Sequence, residues 1–284
     1  MRYISTEIGS YRRYGDDKQV IKLLKDSGFT AYDYSMNGGA GKELLLSDDY
    51  IEKAKELRAY ADSIGIPCNQ THAPFATARK GNEEYNKNMI PQIIRALEIS
   101  GILGAKACVV HPCNDYTAEE NAVLYKQFEE TAKKVGVKIA TENMWNWTSG
   151  SPTATPAACS HHDDFKAHMD LLNREVFVAC VDFGHAEMAG LDTSAVKMIE
   201  TLGSDVQCMH LHDVDGAHDN HALPFTYNID YAPIIAALKK INYQGDITLE
   251  ACSRFANRVP VELIPAAARY AAAVANYFKE ELEK

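Results

Sequence analysis

The chain contains 284 residues, of which 46 % are apolar and 24 % are charged, a composition typical of a soluble globular protein with a sizeable core. Its formal net charge of -10 at pH 7 disfavours nonspecific binding to nucleic acid or to a membrane surface. No apolar run approaches the roughly 18 residues that cross a bilayer, and the first residues lead into a strand-like segment without the pattern of a signal peptide.

Short β-rich runs alternate with stretches of helical periodicity along the whole chain. Strands are predicted at 3–7, 29–34, 66–72, 106–111, 137–142, 176–182, 206–211 and 246–250. Helices are predicted at 16–27, 49–64, 84–103, 118–135, 163–173, 193–202, 230–241 and 260–282. Several helices end at a glycine before the next strand, as at Gly28, Gly65 and Gly136, which indicates a left-handed C-cap.

Eight strands and eight helices in strict alternation predict an α/β fold, a (β/α)8 TIM barrel that occupies residues 1–284 as a single domain. A doubly wound open sheet is the alternative. It would need a glycine-rich phosphate-binding turn after the first strand, and the segment Ile8-Gly9-Ser10-Tyr11 is not such a turn.

The seven cysteines are odd in number, scattered and without a Cys-x-x-Cys pair. Four of them lie within or beside apolar, strand-like runs: Cys108, Cys180, Cys208 and Cys252. This pattern is typical of reduced, buried thiols in a cytoplasmic protein, which is the expected location.

Four acidic or imidazole side chains lie at the ends of four consecutive predicted strands in the second half of the chain: Glu142, Asp182, His210 and Glu250. The spacing is about one strand-helix unit each time, so the four converge only if the strands lie side by side. Carboxylates with one imidazole suit a divalent cation such as Mn²⁺, Mg²⁺, Co²⁺ or Zn²⁺. The set leaves coordination positions open, as a catalytic metal requires.

Further polar residues follow the predicted strands on the same expected face of the barrel. They are His72, His111, His185, His212, Asp219 and His221. His72, His111, His185 and His212 are interpreted as substrate-contacting or pocket-shaping residues, whereas Asp219 and His221 could hold an additional metal. His210 and His212 alternate on one strand, so both point into the barrel mouth.

The segment 144–162 is the longest irregular piece and follows Glu142 directly, so it is interpreted as a loop that covers the substrate. Trp145 and Trp147 in this loop suit stacking on a sugar ring or an aglycone. Arg254, just beyond Glu250, could bind a carboxylate or phosphate of the substrate.

These motifs resemble the xylose isomerase-like TIM-barrel superfamily, which includes sugar phosphate isomerase and epimerase-like proteins, inosose-type dehydratases and endonuclease IV. The resemblance covers essentially the whole chain and is carried by Glu142-Asn143, Asp182-x-x-His185, His210-x-x-Asp213 and Glu250. It implies that Glu142, Asp182, His210 and Glu250 bind one divalent metal, that the two glutamates act as acid and base, and that His185 hydrogen-bonds the substrate.

The same resemblance implies an isomerase or epimerase of a small keto-sugar. The metal would chelate the carbonyl and adjacent hydroxyl, one glutamate would remove the neighbouring C–H proton to give an enediolate, and the other would return a proton. A dehydratase-like lyase would use the same metal and base but expel a β-hydroxyl group, and the sequence scarcely separates the two.

Endonuclease IV is the competing relative, because its three zinc ions are held by nine residues that all have counterparts here. The matching residues are His72, His111, Glu142, Asp182, His185, His210, Asp219, His221 and Glu250. Three features disfavour it: the tryptophan-rich sequence after Asn143, the stretch 223–231, and the absence of a basic run interleaved with aromatic residues that a DNA-tracking groove needs. The stretch 223–231 resembles one found in many sugar-isomerase-like proteins, with Phe225 and Tyr227 where that pattern has glycines.

A sugar-binding protein with a decayed metal site is a third alternative, and the complete set of four residues argues against it. A homo-oligomer is conceivable, because the small-residue face of Ala266–Ala273 could pack closely against a partner. Packing of that face within the barrel is the preferred interpretation.

Overall fold

The computed structural model describes residues 2–251 and 255–284. Within these residues eight strands occur, each ending close to its predicted position. They are β1 (Ile4–Thr6), β2 (Tyr32–Ser35), β3 (Cys68–His72), β4 (Ala107–Val109), β5 (Lys138–Glu142), β6 (Phe177–Asp182), β7 (Val206–His210) and β8 (Ile247–Leu249).

The strands form a closed ring in chain order. Strands β2 to β7 form one parallel sheet, and β1 pairs with β8 in parallel. Two isolated parallel bridges join these pieces, Glu7 to Asp33 and Leu211 to Leu249. The prediction of a TIM barrel is thereby confirmed, since a doubly wound sheet would have two open edges.

The helices surround this ring. They are α1 (Asp17–Ser27), α2 (Gly39–Leu46), α3 (Tyr50–Ile64), α4 (Glu83–Leu103), α5 (Ala118–Val135), α6 (His162–Asp170), α7 (Phe183–Ala186), α8 (Ala195–Leu202), α9 (Tyr231–Lys240) and α10 (Ile264–Glu283). No helix in the described ranges combines the length and the apolar character needed to traverse a bilayer.

Local capping explains where the helices begin and end. Asp16 accepts a hydrogen bond from the backbone of Gln19 in a reciprocal capping box at the start of α1. Gly28, Gly65 and Gly136 end α1, α3 and α5 with φ values of 106°, 71° and 71°, as predicted for left-handed C-caps. Each cap stops its helix just before a strand, which sets the length of the strand-helix unit.

Two helices were not predicted, and both have a local reason. Helix α2 begins Gly39-Ala40-Gly41, and glycines disfavour helix formation. Helix α7 has only four residues, too few to show a helical period. It begins where the side chain of Asp182 accepts a hydrogen bond from the backbone N–H of His185, so a predicted site residue also caps this helix.

Strand alternation divides the buried residues into an inner and an outer set. The inner set on β4 to β7 consists of small residues that form their own cluster: Ala107, Val109, Ala140, Val178, Cys180 and Cys208. Val109, Ala140, Cys180 and Cys208 precede His111, Glu142, Asp182 and His210 by two positions, so they lie beneath those side chains. They support the site from within the barrel.

The alanine-rich face of α10 is buried in the molecule, including Ala267, Ala268, Ala271 and Ala272. It packs against α1 and the glycine that caps it: a Cβ atom added at Gly28 would lie 3.7 Å from the Ala272 methyl group. Packing within the barrel therefore accounts for this face, and a homo-oligomer stays a prediction. The six described cysteines are free and buried, as expected, and Cys252 lies outside the described residues.

Candidate metal site

The four residues predicted to bind a metal come together at the carboxyl end of the barrel. Glu142, Asp182 and His210 are the last residues of β5, β6 and β7, and Glu250 directly follows β8. One ligand atom from each lies within 4.8 Å of the others. The first three side chains are fully buried, and Glu250 retains 18 % side-chain exposure. Consecutive strands of a closed barrel thus converge on one point.

The Nδ1 atom of His210 lies between the two glutamates. It is 3.0 Å from Glu142 Oε1 and 2.7 Å from Glu250 Oε2. The Glu250 contact is an ion pair, and among the residues that the structure describes Glu250 Oε2 has no hydrogen-bond partner. Of the two carboxylates, His210 therefore forms a hydrogen bond only with that of Glu142.

Unpaired buried oxygens indicate that these residues fit a cation. Glu142 Oε2 also lacks a hydrogen-bond partner within residues 2–251 and 255–284, although His111 Nε2 lies 3.1 Å away. Leaving a buried carboxylate oxygen unsatisfied is costly, and native proteins usually pair such atoms with a donor or an ion. Carboxylate oxygens with one imidazole are the donor set that Mn²⁺, Zn²⁺ or a similar cation accepts.

The charges of the site stabilise one another. Burial opposes ionisation of Glu142, but His210 and His111 outweigh it and hold the pKa of this carboxyl well below its usual range. Burial likewise opposes ionisation of Glu250, and His210 again lowers its pKa. The pKa of His210 is raised well above its ordinary value, against burial, by Cys180 and the two glutamates. The carboxylates are consequently ionised and ready to bind a cation.

Asp182 is held by hydrogen bonds from two histidines. Its Oδ1 accepts from the backbone of His185 at 2.7 Å, and both its oxygens lie 2.9 Å from Nε2 of His212. His212 thus orients Asp182 from one strand away. The ring of His185 donates from Nδ1 to the carbonyl of Asn143 at 2.9 Å, which leaves its Nε2 facing the cavity residue Asp219.

A second cluster lies beside the first and contains His185, His212, Asp219 and His221. Nε2 of His221 is 2.9 Å and Nε2 of His185 is 3.4 Å from the same oxygen, Asp219 Oδ2. His221 donates from Nδ1 to the carbonyl of Glu250 at 2.8 Å, and Asp219 Oδ1 is buried with no hydrogen-bond partner among the described residues. Metal-ligating histidines commonly donate one nitrogen to a carbonyl in this way, which orients the other nitrogen toward the site.

His221 is held in an uncommon backbone conformation. Its φ is 44°, in the left-handed region that residues other than glycine rarely adopt, and its ring stacks on His212 with centroids 4.4 Å apart. Burial opposes its protonation, but Asp219 and Glu250 raise the pKa of His221 to about 10. Such strain persists where surrounding contacts define the conformation, as at functional sites.

His72 and His111 contact each other beside Glu142. Their Nε2 atoms are 3.0 Å apart, and His72 donates from Nδ1 to the carbonyl of Ala73. Burial and the neighbouring His111 lower the pKa of His72. The ring of Phe75 stacks on His111 at 4.9 Å between centroids and remains 49 % exposed. The predicted pocket residues therefore adjoin the metal-binding set.

A cavity of about 540 Å³ opens onto these clusters, a size typical of small-molecule sites. Its wall combines apolar Phe75, Met144 and Trp145, polar Arg79, Lys80, Asn114 and Asp115, and site residues His111, Glu142, His185, Asp219, His221 and Glu250. Another cavity, of about 460 Å³, lies at the amino-terminal end of the strands and is lined by none of the predicted site residues. The cavity of about 540 Å³ is therefore the candidate active site.

The predicted loop after Glu142 forms a short hairpin, with Asn146 and Thr155 paired in antiparallel fashion. Trp145 lines the cavity and packs on Ala154, Met188 and Leu191. Trp147 is 51 % exposed and is not among the residues that line this cavity, so its stacking on a substrate stays a prediction. Arg254 lies outside the described residues.

Sequence reasoning missed three residues next to the site: Asp33, Gln70 and Phe75. Asp33 and Gln70 occupy inner positions of β2 and β3, and Gln70 contacts His210 across the barrel. Polar side chains at inward-pointing strand positions were the available signal. Phe75 follows the His72-Ala73-Pro74 turn, and nothing in the local pattern indicates its stacking on His111.

Comparison with known proteins agrees with this architecture. A family model described as xylose isomerase-like TIM barrel matches residues 21–279. The chain is 29 % identical over 217 residues to the uncharacterized protein MJ1311 of Methanocaldococcus jannaschii, a match that covers 72 % of this chain and 70 % of that protein.

Two solved structures share the fold over nearly the entire chain. A D-tagatose 3-epimerase-like protein superposes with a TM-score of 0.76 at 20 % identity, covering 99 % of this chain and 98 % of that one. The IOLI protein with a bound zinc atom superposes with a TM-score of 0.74 at 16 % identity, again covering 99 % and 98 %. At these identities the likeness establishes the fold.

Proposed function

This chain belongs to the xylose isomerase-like TIM barrel family, and on that premise we propose that it is a divalent-metal-dependent isomerase or epimerase of a small carbohydrate. The observation that carries the proposal is the convergence of Glu142, Asp182, His210 and Glu250, of which the two glutamates line a cavity with an aromatic wall. The epimerase-like neighbour and the zinc atom in the IOLI structure support it.

Glu142, Asp182, His210 and Glu250 are the residues that would hold the metal. A cation there would polarise a substrate carbonyl and stabilise the negative charge that develops when the neighbouring C–H proton leaves. The two carboxylates are suited to moving that proton, because both are ionised and both line the cavity. Glu250 is the more accessible, with 18 % against 1 % side-chain exposure for Glu142.

The surrounding residues suit recognition of a sugar. His185 presents Nε2 to the cavity, His111 lines it beside Glu142, and His72 contacts His111. The indole of Trp145 offers an apolar face of the kind on which sugar rings stack. Trp147, His212 and Arg254 are retained as proposed contacts of the substrate or of its binding loop.

Solvent deuterium exchange tests this function. Mn²⁺-loaded protein is incubated in D₂O with D-tagatose, D-fructose and related keto-sugars, and NMR detects deuterium at the carbon beside the carbonyl. We expect Glu142→Gln and Glu250→Gln each to slow exchange by at least about 100-fold, the usual contribution of a general base. Glu119→Gln, at an exposed position in the first turn of α5, is the matched control.

Exchange that survives in both glutamine variants would contradict the assigned roles. Exchange accompanied by loss of water, seen as the absorbance of an enone, would instead assign the dehydratase-like lyase reaction to the same residues. No exchange by the metal-loaded wild-type protein with any sugar of the panel would overturn the isomerase proposal for those sugars.

A second candidate is an endonuclease IV-like phosphodiesterase with three zinc ions. It is favoured by one observation, that His185, Asp219 and His221 form a further metal-compatible cluster while His72 and His111 flank Glu142. Elemental analysis separates the candidates: about one metal per chain supports the isomerase, and about three zinc ions support the nuclease. A nuclease would also cut abasic DNA and lose this activity in the double variant His72→Ala, His111→Ala.

A further inference from the structure

Among the buried polar residues of the barrel interior, Asp33 and Gln70 have no part in the proposed chemistry. They are 1 % and 3 % exposed and face each other in register across β2 and β3. The amide nitrogen of Gln70 donates to Asp33 Oδ2 at 3.0 Å. Burying a carboxylate and an amide inside a barrel is costly, so their contacts call for a physical reason.

The reason lies on the opposite wall of the barrel. The same amide nitrogen of Gln70 lies 2.9 Å from Nε2 of His210, the nitrogen that faces away from Glu142 and Glu250. Of the two ring nitrogens of His210, one therefore points to the carboxylates and the other to Gln70. The hydrogen bond at one nitrogen of a histidine determines the orientation of the ring and which nitrogen carries its proton.

We infer that Gln70, held by Asp33, is a positioning residue that presents Nδ1 of His210 to the metal-binding carboxylates. The amide nitrogen that contacts Nε2 of His210 is the one that donates to Asp33, so the Asp33 hydrogen bond sets the position of the atom that faces the ring. Asp33 holds the amide through Oδ2, while Asp33 Oδ1 has no hydrogen-bond partner in the part of the chain that the structure describes. The inference rests on the proposed function only in so far as His210 is a metal ligand.

Burial makes Asp33 unusual in its own right. It raises the pKa of Asp33 to about 6, although His210 and His72 act in the opposite direction. A carboxyl that is this costly to ionise and is not a member of the metal-compatible clusters is consistent with a supporting role.

The first test needs no metal. In metal-free protein labelled with ¹⁵N-histidine, Gln70→Met keeps the side-chain length but removes both hydrogen-bonding arms. We expect the His210 Nε2 resonance to shift in this variant. Asn69→Ala is the matched control, since Asn69 neighbours Gln70 on β3, is equally buried, and contacts Asp246 and Thr248 instead.

The second test measures Mn²⁺ affinity by calorimetry. We expect Gln70→Met to weaken binding by about 10- to 100-fold, the usual effect of losing a group that supports a metal ligand. The double variant Asp33→Asn, Gln70→Glu reverses the donor and acceptor of the pair and should restore affinity to within a few-fold. A merely structural role would not give this rescue.

The outcomes separate the inference from the proposed function. An unchanged His210 resonance in Gln70→Met, or an equal shift in Asn69→Ala, would overturn the inference. Wild-type protein that binds no Mn²⁺ or Zn²⁺ would overturn the proposed metal chemistry, and the NMR comparison would still decide whether Gln70 positions His210.

Discussion

The side chain of Asn143 makes a reciprocal pair of hydrogen bonds with the backbone of Asp182. Its Oδ1 accepts from the Asp182 N–H at 2.7 Å, and its Nδ2 donates to the Asp182 carbonyl at 2.9 Å. The two residues lie at the ends of the adjacent strands β5 and β6, so this amide continues the strand pairing to the edge of the site. The spacing between Glu142 and Asp182 is thereby fixed.

Replacing Asn143 by alanine should therefore lower both stability and metal affinity. Two buried backbone groups would lose their hydrogen-bond partners, at a cost of about 1 to 3 kcal/mol each. Asp182 would also be free to shift. Denaturant unfolding and Mn²⁺ calorimetry measure the two effects. Asn276→Ala on the exposed face of α10 is the control, and equal stability of the two variants would contradict the role of Asn143.

Stability of the metal-free protein should fall as the pH rises from 7 to 10. The raised pKa of His221, about 10 against an ordinary 6.5, means that its protonated form stabilises the fold fully below 6.5 and that this contribution is lost toward 10. The pH dependence that Asp219 contributes has the opposite sign. Burial opposes ionisation of Asp219, but His185 and His221 lower its pKa, so its contribution to stability is lost only in acid.

The decisive measurement is the melting temperature of chelated protein across this range. His221→Asn should flatten the decline, whereas His218→Asn, at a position 65 % exposed, should leave the slope as in the wild type. A variant at 221 with the full wild-type slope would show that the Asp219–His221 pair does not carry the effect.

Divalent metal should stabilise the folded protein strongly, because it would give a partner, only in the folded state, to Glu142 Oε2 and Glu250 Oε2, which have no hydrogen-bond partner in the described ranges. At a free concentration of 100 times Kd, the stabilisation amounts to about 2.7 kcal/mol. Thermal melts with Mn²⁺ and with EDTA test this. Asp182→Asn should reduce the difference between the two melts, and an unchanged difference would place the metal elsewhere.

The two tryptophans of the hairpin should respond differently to truncation. Trp145 packs on Met188 and Leu191, so Trp145→Ala should lower stability and raise KM together. Trp147 is half-exposed, so Trp147→Ala should leave the free energy of unfolding within about 0.5 kcal/mol. If its indole stacks on substrate, KM should still rise about three- to tenfold. A stability loss in Trp147→Ala matching that of Trp145→Ala would contradict this assignment.

Most of the fold could be predicted from local sequence patterns. Gly28, Gly65 and Gly136 mark helix ends because their left-handed backbone is determined by a few neighbouring residues, and the strands were recognisable as short apolar runs between such marks. The short helices α2 and α7 escaped this approach, because glycine content and brevity hide a helical period.

By itself the sequence determined that Glu142, Asp182, His210 and Glu250 stand at strand ends, because strand position is a local property and parallel barrel strands end on one face. Only the tertiary structure decided which nitrogen of His210 faces the glutamates, that Gln70 and Asp33 back that ring, and that Phe75 stacks on His111. These contacts join residues from distant strands and loops. Their distances depend on closure of the barrel and on side-chain packing, neither of which leaves a periodic signal in the chain.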